Sequence, residues 1–577
     1  MFRKFFTILF LSTVFCSVQA QILTRSATLP QSIYRYPQDY FRYPLDLPPT
    51  TAGTFGELRP NHFHSGLDFK TNQRTGYPVH AAAEGFVSRL RVQYGGFGLA
   101  VYINHPNGYT TVYGHVERVT PELAKIIKDY QYKNQVYESD ILLQPTQIPL
   151  QKGDVFAWSG NAGASAGPHV HFEIRDTQTE QTINPQLFGL TIPDRVPPTI
   201  AAIYTYHLNG KPFNENTVKQ LLPIVGNTGN YRLKEASPVN LSGETAFGIT
   251  TNDMNSTSMN RNGIYSIQLI DDGKTVYQFT IDHFAFDQTH AINSHLDYPA
   301  FLNSGRYIQK SFVDPGNHIG LYNGTLNRGI INFNDDALHE IEYVVKDVAG
   351  NTSTLKFKVK STIPTAVETP VISANFFKAN QQNTFATNQV KVIFPEGVLY
   401  ENLDFAYSIL PQKAGGYSVV HRIHNRFTPL HDNVDLWIKP DVPLGIYADK
   451  ALIINTGHGS LGGFFKDGYV KTKIKSFGDY YIALDTIAPV IVPVNISEGK
   501  NMAAVNHISF RISDNLSGIK TYDAYIDGQW VLLEHDYKNR LFRYFFDEHC
   551  PAGKHQLEVV VTDQKENTKR LTLNFYR

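Results

Sequence analysis

Three short stretches of this sequence hold residues whose types and spacing could activate water. They are Phe63-His64-Ser65-Gly66-Leu67-Asp68, Tyr113-Gly114-His115 and Gly167-Pro168-His169-Val170-His171-Phe172-Glu173. In a strand, residues two apart face one side, so His169 and His171 project together. One of them can ligate a metal while the other points into the same open site. His64 and Asp68 flank a Ser-Gly turn, whose glycine lets the chain fold so that both side chains converge. Two imidazoles and one carboxylate suit Zn²⁺ and leave a fourth tetrahedral position for water, as a catalytic rather than a structural site requires. Water so bound titrates near pH ~7 and can attack an amide. His115 and the spare member of the His169/His171 pair suit general-base work and stabilisation of an oxyanion. Taken alone, His64 or Asp68 would be an ordinary turn residue, and a lone His-x-His an ordinary strand. Their joint arrangement is what points to a metal.

These residues must be positioned by short strands. From about 51 to 190 the chain alternates apolar and polar residues over 85–92, 99–104 and 109–115, with Gly-containing turns between. Within it, Thr120-Pro121-Glu122 offers an N-cap, a first-turn proline and an early acidic residue. Leu123, Ile126, Ile127 and Tyr130 follow at helical spacing, so 120–150 reads as a helix plus loop interrupting a β domain. The Gly-rich run Ser159 to Pro168 lets backbone approach the site, which suits a groove for an extended peptide.

The stretch 51–190 resembles the lysostaphin-type (LytM-like, duplicated-hybrid-motif) zinc endopeptidases of bacterial cell-wall peptidoglycan. The likeness rests on His-x-x-x-Asp at His64 and Asp68, the later Tyr113-x-His115, and Gly167-x-His169-x-His171-Phe172-Glu173, all in family order. It implies a compact antiparallel β domain with its site in a groove, one Zn²⁺ per chain held by His64, Asp68 and His171, and His115 with His169 as the catalytic pair. Arg59 fits a frequent family element imperfectly, with one extra residue before it, and receives no role. Segment 120–150 is longer than in many relatives and could act as a lid or specificity wall.

Several neighbours receive plainer readings. His62, His80 and His105 are expected to be packing or surface residues. Glu173 is expected to face away from His171, with support of the metal ligands as the alternative. Ser165 lacks the context of a nucleophile elbow and is expected to donate a hydrogen bond to substrate. Asp514 and Asp563 are expected to cap turns rather than bind Ca²⁺.

At 577 residues the chain is too long for one core. Its 37 Phe and 33 Tyr, with 42 Gly and 31 Pro, favour short strands and many turns. Formal net charge is zero, which removes any global bias toward nucleic acid, and no nucleic-acid partner is expected. Residues 1–20 read as a signal peptide: Arg3 and Lys4, an apolar run from Phe5 to Phe15, and Val18-Gln19-Ala20 as the cleavage site. If Cys16 leaves with it, Cys550 is the only thiol and stability must come from packing. No later stretch is long and apolar enough to span a bilayer.

The expected fold is mostly β and multidomain. A 21–50 extended leader precedes the 51–190 domain, followed by about three β-sandwich (immunoglobulin-like) modules at 194–360, 365–485 and 486–577. The opening Asp194-Arg195-Val196-Pro197-Pro198 returns as Asp485-Thr486-Ile487-Ala488-Pro489. The alternating strands around Asp347 to Asn351 return around Asp563 to Asn567, which reads as a hairpin closing each module. The first module is long enough that 205–260 should contain an insertion. The leading expectation is an exported zinc endopeptidase that hydrolyses peptidoglycan peptide cross-links in the periplasm or cell envelope, or outside the cell, with an envelope protein partner met through the sandwich modules. A non-catalytic envelope binding or regulatory protein that retains the fold is the alternative, and an adhesin or glycan-binding protein acting through its sandwiches is a third.

Overall fold

Alternation of apolar and polar side chains builds the first domain. A computed structural model of the chain describes residues 36–364 and 375–577. Seven strands form the main antiparallel sheet: β1 (Thr51–Gly53), β2 (Leu67–Lys70), β3 (Gly85–Val92), β4 (Leu99–Asn104), β5 (Tyr109–Val116), β6 (Ser139–Leu142) and β7 (His169–Asp176). Their spatial order is β1-β2-β7-β5-β4-β3-β6. Leu67, Phe69, Leu90, Val101, Tyr113, Val170, Phe172 and Ile174 pack from one face into a single buried core. The opposite face of β2 and β7 is thereby left to Asp68, His169, His171 and Glu173.

Segment 120–150 differs from the expected helix and loop. Helix α1 (Pro121–Asn134) starts at Thr120, whose side chain makes no capping hydrogen bond, and buries Leu123, Ile127 and Gln131. Strand β6 then pairs with β3, and Pro149–Leu150 pairs with β3 as well. The reason is local: Ser139 and Ile141 are buried while Asp140 and Leu142 are exposed, so the segment carries the two-residue period of an edge strand. Tyr36–Thr50, the described part of the expected leader, lies against the same core through Phe41 and Leu45. The signal peptide of residues 1–20, with Cys16, lies outside the described residues.

Beyond residue 190 the described residues are β-rich. Thr182–Ile183 joins β7 to His283–Phe284 of the next domain, so the main sheet runs across the boundary. That next domain is built on an eleven-stranded sheet system whose closing hairpin pairs Leu338–Lys346 with Thr352–Thr362. Its extra length includes Val218–Leu222, which adds an edge strand beside Thr199–His207, and two short helices at Ile292–His295 and Tyr298–Ser304. Residues 375–485 form two five-stranded sheets around Val392, Phe394, Leu436, Ile453 and Ile482, and the last domain packs a four-stranded on a five-stranded sheet around Phe510, Tyr544, Val559 and Phe575. Asp563 accepts from the backbone amides of Lys565 and Asn567, and Asp514 from those of Leu516 and Gly518, so both carboxylates cap turns. Cys550 is buried and free. Among the described residues no helix is long and apolar enough to cross a membrane.

The last domain returns to the first. Tyr132 on α1 stacks on His549 with ring centroids 4.1 Å apart and donates its hydroxyl to Asp547 at 2.5 Å. Lys128 reaches Asp547 and Glu548 at 3.1 and 3.0 Å, and Lys538 contacts Asn161.

Buried histidines make this fold sensitive to acid. Burial pushes His105, His295, His421 and His424 from 6.5 down to about 4. All four are neutral in the fold, so between pH 6.5 and 4 the unfolded chain binds more protons and stability falls as pH falls through that window. Each should cost about 2 kcal/mol at pH 5. Thermal unfolding followed at pH 7.5 and pH 5 should show a midpoint lower by several degrees in acid; equal midpoints would contradict the assignment of neutral buried imidazoles.

Candidate metal centre

Strand pairing brings the chemistry together. In the β2–β7 ladder Asp68 stands directly opposite His171, and directly opposed residues of an antiparallel pair project to one face. His64 enters from the turn before β2. Gly66 in that turn does not have positive φ; it is needed because a Cβ there would collide with the carbonyl oxygen of Phe172 on β7. His64 Nε2 lies 3.1 Å from Asp68 Oδ1 and 3.1 Å from His171 Nδ1, and His171 Nδ1 lies 2.8 Å from Asp68 Oδ1. All three residues are buried. His169, two positions before His171, brings Nε2 to 3.3 Å from Asp68 Oδ1 and is the more open of the strand's two histidines.

His115 reaches the same place by a departure from regular strand geometry. Gly114 pairs with His171, so simple alternation would send the next side chain into the core beside Val170. The β4–β5 register shifts here, with Leu99 opposite Val116 but Val101 opposite Tyr113. His115 takes φ of 62° in this bulge, and its ring centroid comes within 4.7 Å of His169 and 6.0 Å of His171. Phe97 fills the room above the missing Gly114 side chain and stacks on His171 at 4.9 Å. In the Gly-rich run, Gly163 has φ of 65° and packs its backbone against that of Gly98, where no Cβ would fit.

Partners behind these side chains fix their ring orientations. His64 Nδ1–H donates to the Thr54 carbonyl oxygen at 2.8 Å, which leaves Nε2 as its lone-pair atom. His171 Nε2–H donates to Glu173 Oε1 at 2.9 Å, which directs Nδ1 toward Asp68 and His64. The expectation that Glu173 faces away from His171 is therefore corrected: the two stand two residues apart on one strand and share a face. Glu173 is fully buried and also accepts from Ser65 Oγ at 2.5 Å and Arg175 Nε at 2.6 Å. Arg59, given no role from sequence, donates to Asp68 Oδ2 at 2.7 Å. Ser165 donates to the Gly167 carbonyl oxygen at 2.6 Å and lies 3.1 Å from His169 Nδ1, so it supports the loop and His169 rather than standing free for a substrate. His105 is buried on Thr111 and the Glu84 carbonyl, and His62 and His80 each meet a backbone carbonyl; none of them joins the cluster. The period-two rule already in the sequence could have found Glu173. Thr54, Ser65 and Arg59 had no such signal.

The donor set fits a metal ion. Four-coordinate zinc-like ions, with arms of ~2.0–2.1 Å, hold their ligands ~3.3 Å apart, and the two nitrogens and one oxygen here lie 2.8–3.1 Å from one another. Burial holds the His64 ring at about 4, against the pull of Asp68. For His171 burial also acts downward, but hydrogen bonds to Asp68 and Glu173 outweigh it and raise the ring to about 9. Asp68 is held well below its ordinary range: burial is outweighed by His64, His169 and His171. Without metal, His171 is thus an imidazolium between two carboxylates, and an ion binding at Nδ1 must displace a proton. Affinity should rise roughly tenfold per pH unit from pH 6.5 to about 9 and then level, because the competing proton leaves as pH rises through the raised value. Titration with Zn²⁺ against a competing chelator at several pH values measures this, and pH-independent affinity would refute it.

Comparison with known proteins agrees with this geometry. Residues 62–132, which include His64, Asp68 and His115, match Peptidase family M23, and residues 374–485 match the Zu5-like domain. Over 119 residues the chain is 34% identical to a Haemophilus influenzae protein described as an uncharacterized metalloprotease, covering 21% of this chain and 19% of that one. Over 131 residues it is 30% identical to the DD-carboxypeptidase/endopeptidase Mpg of Neisseria meningitidis serogroup B, covering 23% and 24% of the two chains. The chain thus spans less than a quarter of the length of these curated relatives. Among solved structures, the catalytic domain of the antimicrobial peptidase lysostaphin from Staphylococcus simulans aligns at 20% identity and a TM-score of 0.17, over 23% of this chain and 87% of that one. This protein carries, ahead of several β-rich domains, a LytM-like peptidase family M23 domain.

Proposed function

We propose that the chain is an exported, zinc-dependent endopeptidase that hydrolyses peptide cross-links of peptidoglycan. The observation that carries this reading is the convergence of His64 Nε2, Asp68 Oδ1 and His171 Nδ1, with two further histidines beside them that are not needed as ligands. Zinc held by those three atoms would supply Lewis acidity toward a water molecule and the scissile carbonyl.

The remaining steps belong to the protein. His169 donates Nδ1–H to the Gly167 carbonyl oxygen at 2.8 Å, and His115 donates Nδ1–H to that of Ala162 at 2.9 Å. When neutral, each ring therefore presents Nε2 as a proton acceptor. Burial, with help from the neighbouring His171 and His169, holds the His115 ring at about 3, so it enters the reaction neutral. One of the pair accepts the proton of the attacking water at Nε2, and the resulting imidazolium N–H can stabilise the oxyanion or pass its proton to the leaving amine. Arg59 holds the second oxygen of Asp68, and Glu173 holds His171 against rotation.

A place for an extended substrate lies alongside. A cleft of about 1090 Å³ runs between the first and last domains, lined by Gly98, Asn161 and Gly163 near the site, Lys128 and Gln131 of α1, and Lys538. Segment 120–150 forms one wall of it, and the last domain the other. The β-rich domains would hold the enzyme on the envelope through a protein partner.

Digestion of purified peptidoglycan, with released peptides identified by mass spectrometry, tests the reading. New amino termini should appear, chelation should abolish them, and His169→Ala or His115→Ala should lower the rate by ~10²–10⁴-fold while zinc remains bound. His64→Ala and His171→Ala should lose the zinc. Unchanged activity after exhaustive zinc removal would overturn the proposal. An inert chain that binds sacculi without zinc would favour the non-catalytic binding or regulatory protein instead.

A further inference from the structure

Three carboxylates gather at the boundary between the M23 domain and the first β-rich domain. Asp194 lies in the segment entering that domain, Asp253 follows the strand Val239–Asn252, and Asp347 opens the turn after Leu338–Lys346. One oxygen from each lies within 4.8 Å of the others. Asp253 is only 5% exposed, and its Oδ1 is buried with no hydrogen-bond partner. Asp194 and Asp253 line a cavity of about 20 Å³, closed on the M23 side by Thr54, Phe55 and Asn184. A space of that size holds one water molecule or one bare ion.

The charges acting on Asp253 have its own sign. Burial comes first, then Asp194 and Asp347, and together they push its carboxyl up to about 8. A buried carboxyl with one bare oxygen among like charges either keeps its proton or exchanges it for a cation. The last domain carries a comparable cluster, in which Asp514 Oδ1 is likewise buried with no hydrogen-bond partner. There Asp485, Asp514 and Asp563 cluster in the same way. Its turn Asp563-Gln564-Lys565-Glu566-Asn567 places buried Lys565 where Asp347-Val348-Ala349-Gly350-Asn351 has alanine. The Lys565 ammonium donates to the Gly463 carbonyl oxygen at 2.6 Å and lies in the field of Asp449, Asp485 and Asp563. The first β-rich domain has the carboxylates without that lysine.

We infer that Asp194, Asp253 and Asp347 bind one Ca²⁺ ion at this boundary, a site separate from the M23 metal centre. An all-oxygen donor set selects a hard cation, and the three carboxylates bring at least one oxygen each, to which Ca²⁺ can add backbone carbonyls and water. Mg²⁺ is disfavoured because it keeps several waters, for which a cavity of this size has no room. Asp347 takes hydrogen bonds from Asn351 N at 2.9 Å and Asn351 Nδ2 at 2.8 Å, one on each oxygen. The ion would also brace the metal centre from behind. Thr54, in the cavity wall, orients His64 through its carbonyl oxygen, and Asn255 on the opposite wall donates to Thr51 Oγ1 at 3.0 Å.

The test is Ca²⁺ titration of the chelator-treated full chain, by calorimetry and by thermal unfolding. One Ca²⁺ should bind per chain and raise the unfolding midpoint by several degrees at saturation. Asp253→Asn, which keeps the shape and removes the charge, should weaken Ca²⁺ binding at least tenfold without lowering the midpoint measured in chelator. Asp194→Asn, at a partly exposed position, should weaken binding as well and serves if Asp253→Asn fails to fold. His64→Ala should keep the Ca²⁺ response, which separates this site from the M23 centre. No Ca²⁺ response in the unmodified chain, or the same response in Asp253→Asn and Asp194→Asn, would overturn the inference.

Discussion

The register of two strands carries the candidate metal centre. With Asp68 opposite His171, a carboxylate and an imidazole from positions 103 residues apart in sequence meet across one ladder step at 2.8 Å. A slip of one residue would turn every side chain of β7 to the other face. It would place Val170 and Phe172 over the site and drive two histidines into a core that tolerates no unpaired polar group. The apolar residues alternating with the ligands therefore hold the register, and they are buried to within a few per cent. The candidate metal centre rests on the same packing that stabilises the sheet.

Around that register the protein spends polar groups on orientation. Rotation of any of the four rings would break a bond to a fixed acceptor: Thr54 for His64, Glu173 for His171, and backbone carbonyls for His169 and His115. Glu173 in turn is held by Arg175 and Ser65, and Arg175 lies over the ring of Phe286 at 4.4 Å in the next domain. Hydrogen-bonded chains of this kind lower the number of arrangements a buried site can adopt. His115 is the exception to regular geometry, since only a bulge with a left-handed residue brings it round to the face it needs. Such backbone departures cluster where a side chain must be aimed.

The β-rich domains are more than a tail. The main sheet extends through Thr182–Ile183 to His283–Phe284, Phe55 and Phe63 belong to the core of the following domain, and the last domain closes on α1. The walls of the cleft beside the metal centre thus come from both ends of the described chain. The two Asp clusters differ in that a buried lysine, Lys565, lies in the field of the second and none is found at the matching turn position of the first.

The sequence by itself determined the donor types, their spacing and the strand periods that put His169 and His171 on one face, because those depend on side-chain chemistry and the two-residue repeat. It also made the β-rich, multidomain character plain through turn residues and alternating runs. The edge strand β6 was legible in Ser139 to Leu142 but short enough to pass for loop, and the two-residue rule that joined His169 to His171 applied equally to Glu173. Only the tertiary structure decided the rest. Which nitrogen of His64 and of His115 faces the ligand cluster depends on a carbonyl from elsewhere in the chain, that of Thr54 or of Ala162. Arg59 found Asp68, Asp253 found Asp194 and Asp347, and Tyr132 found His549 through packing between segments with no local pattern linking them. Non-local contacts of that kind are chosen by how whole sheets fit together, and residue spacing along the chain carries no record of that choice.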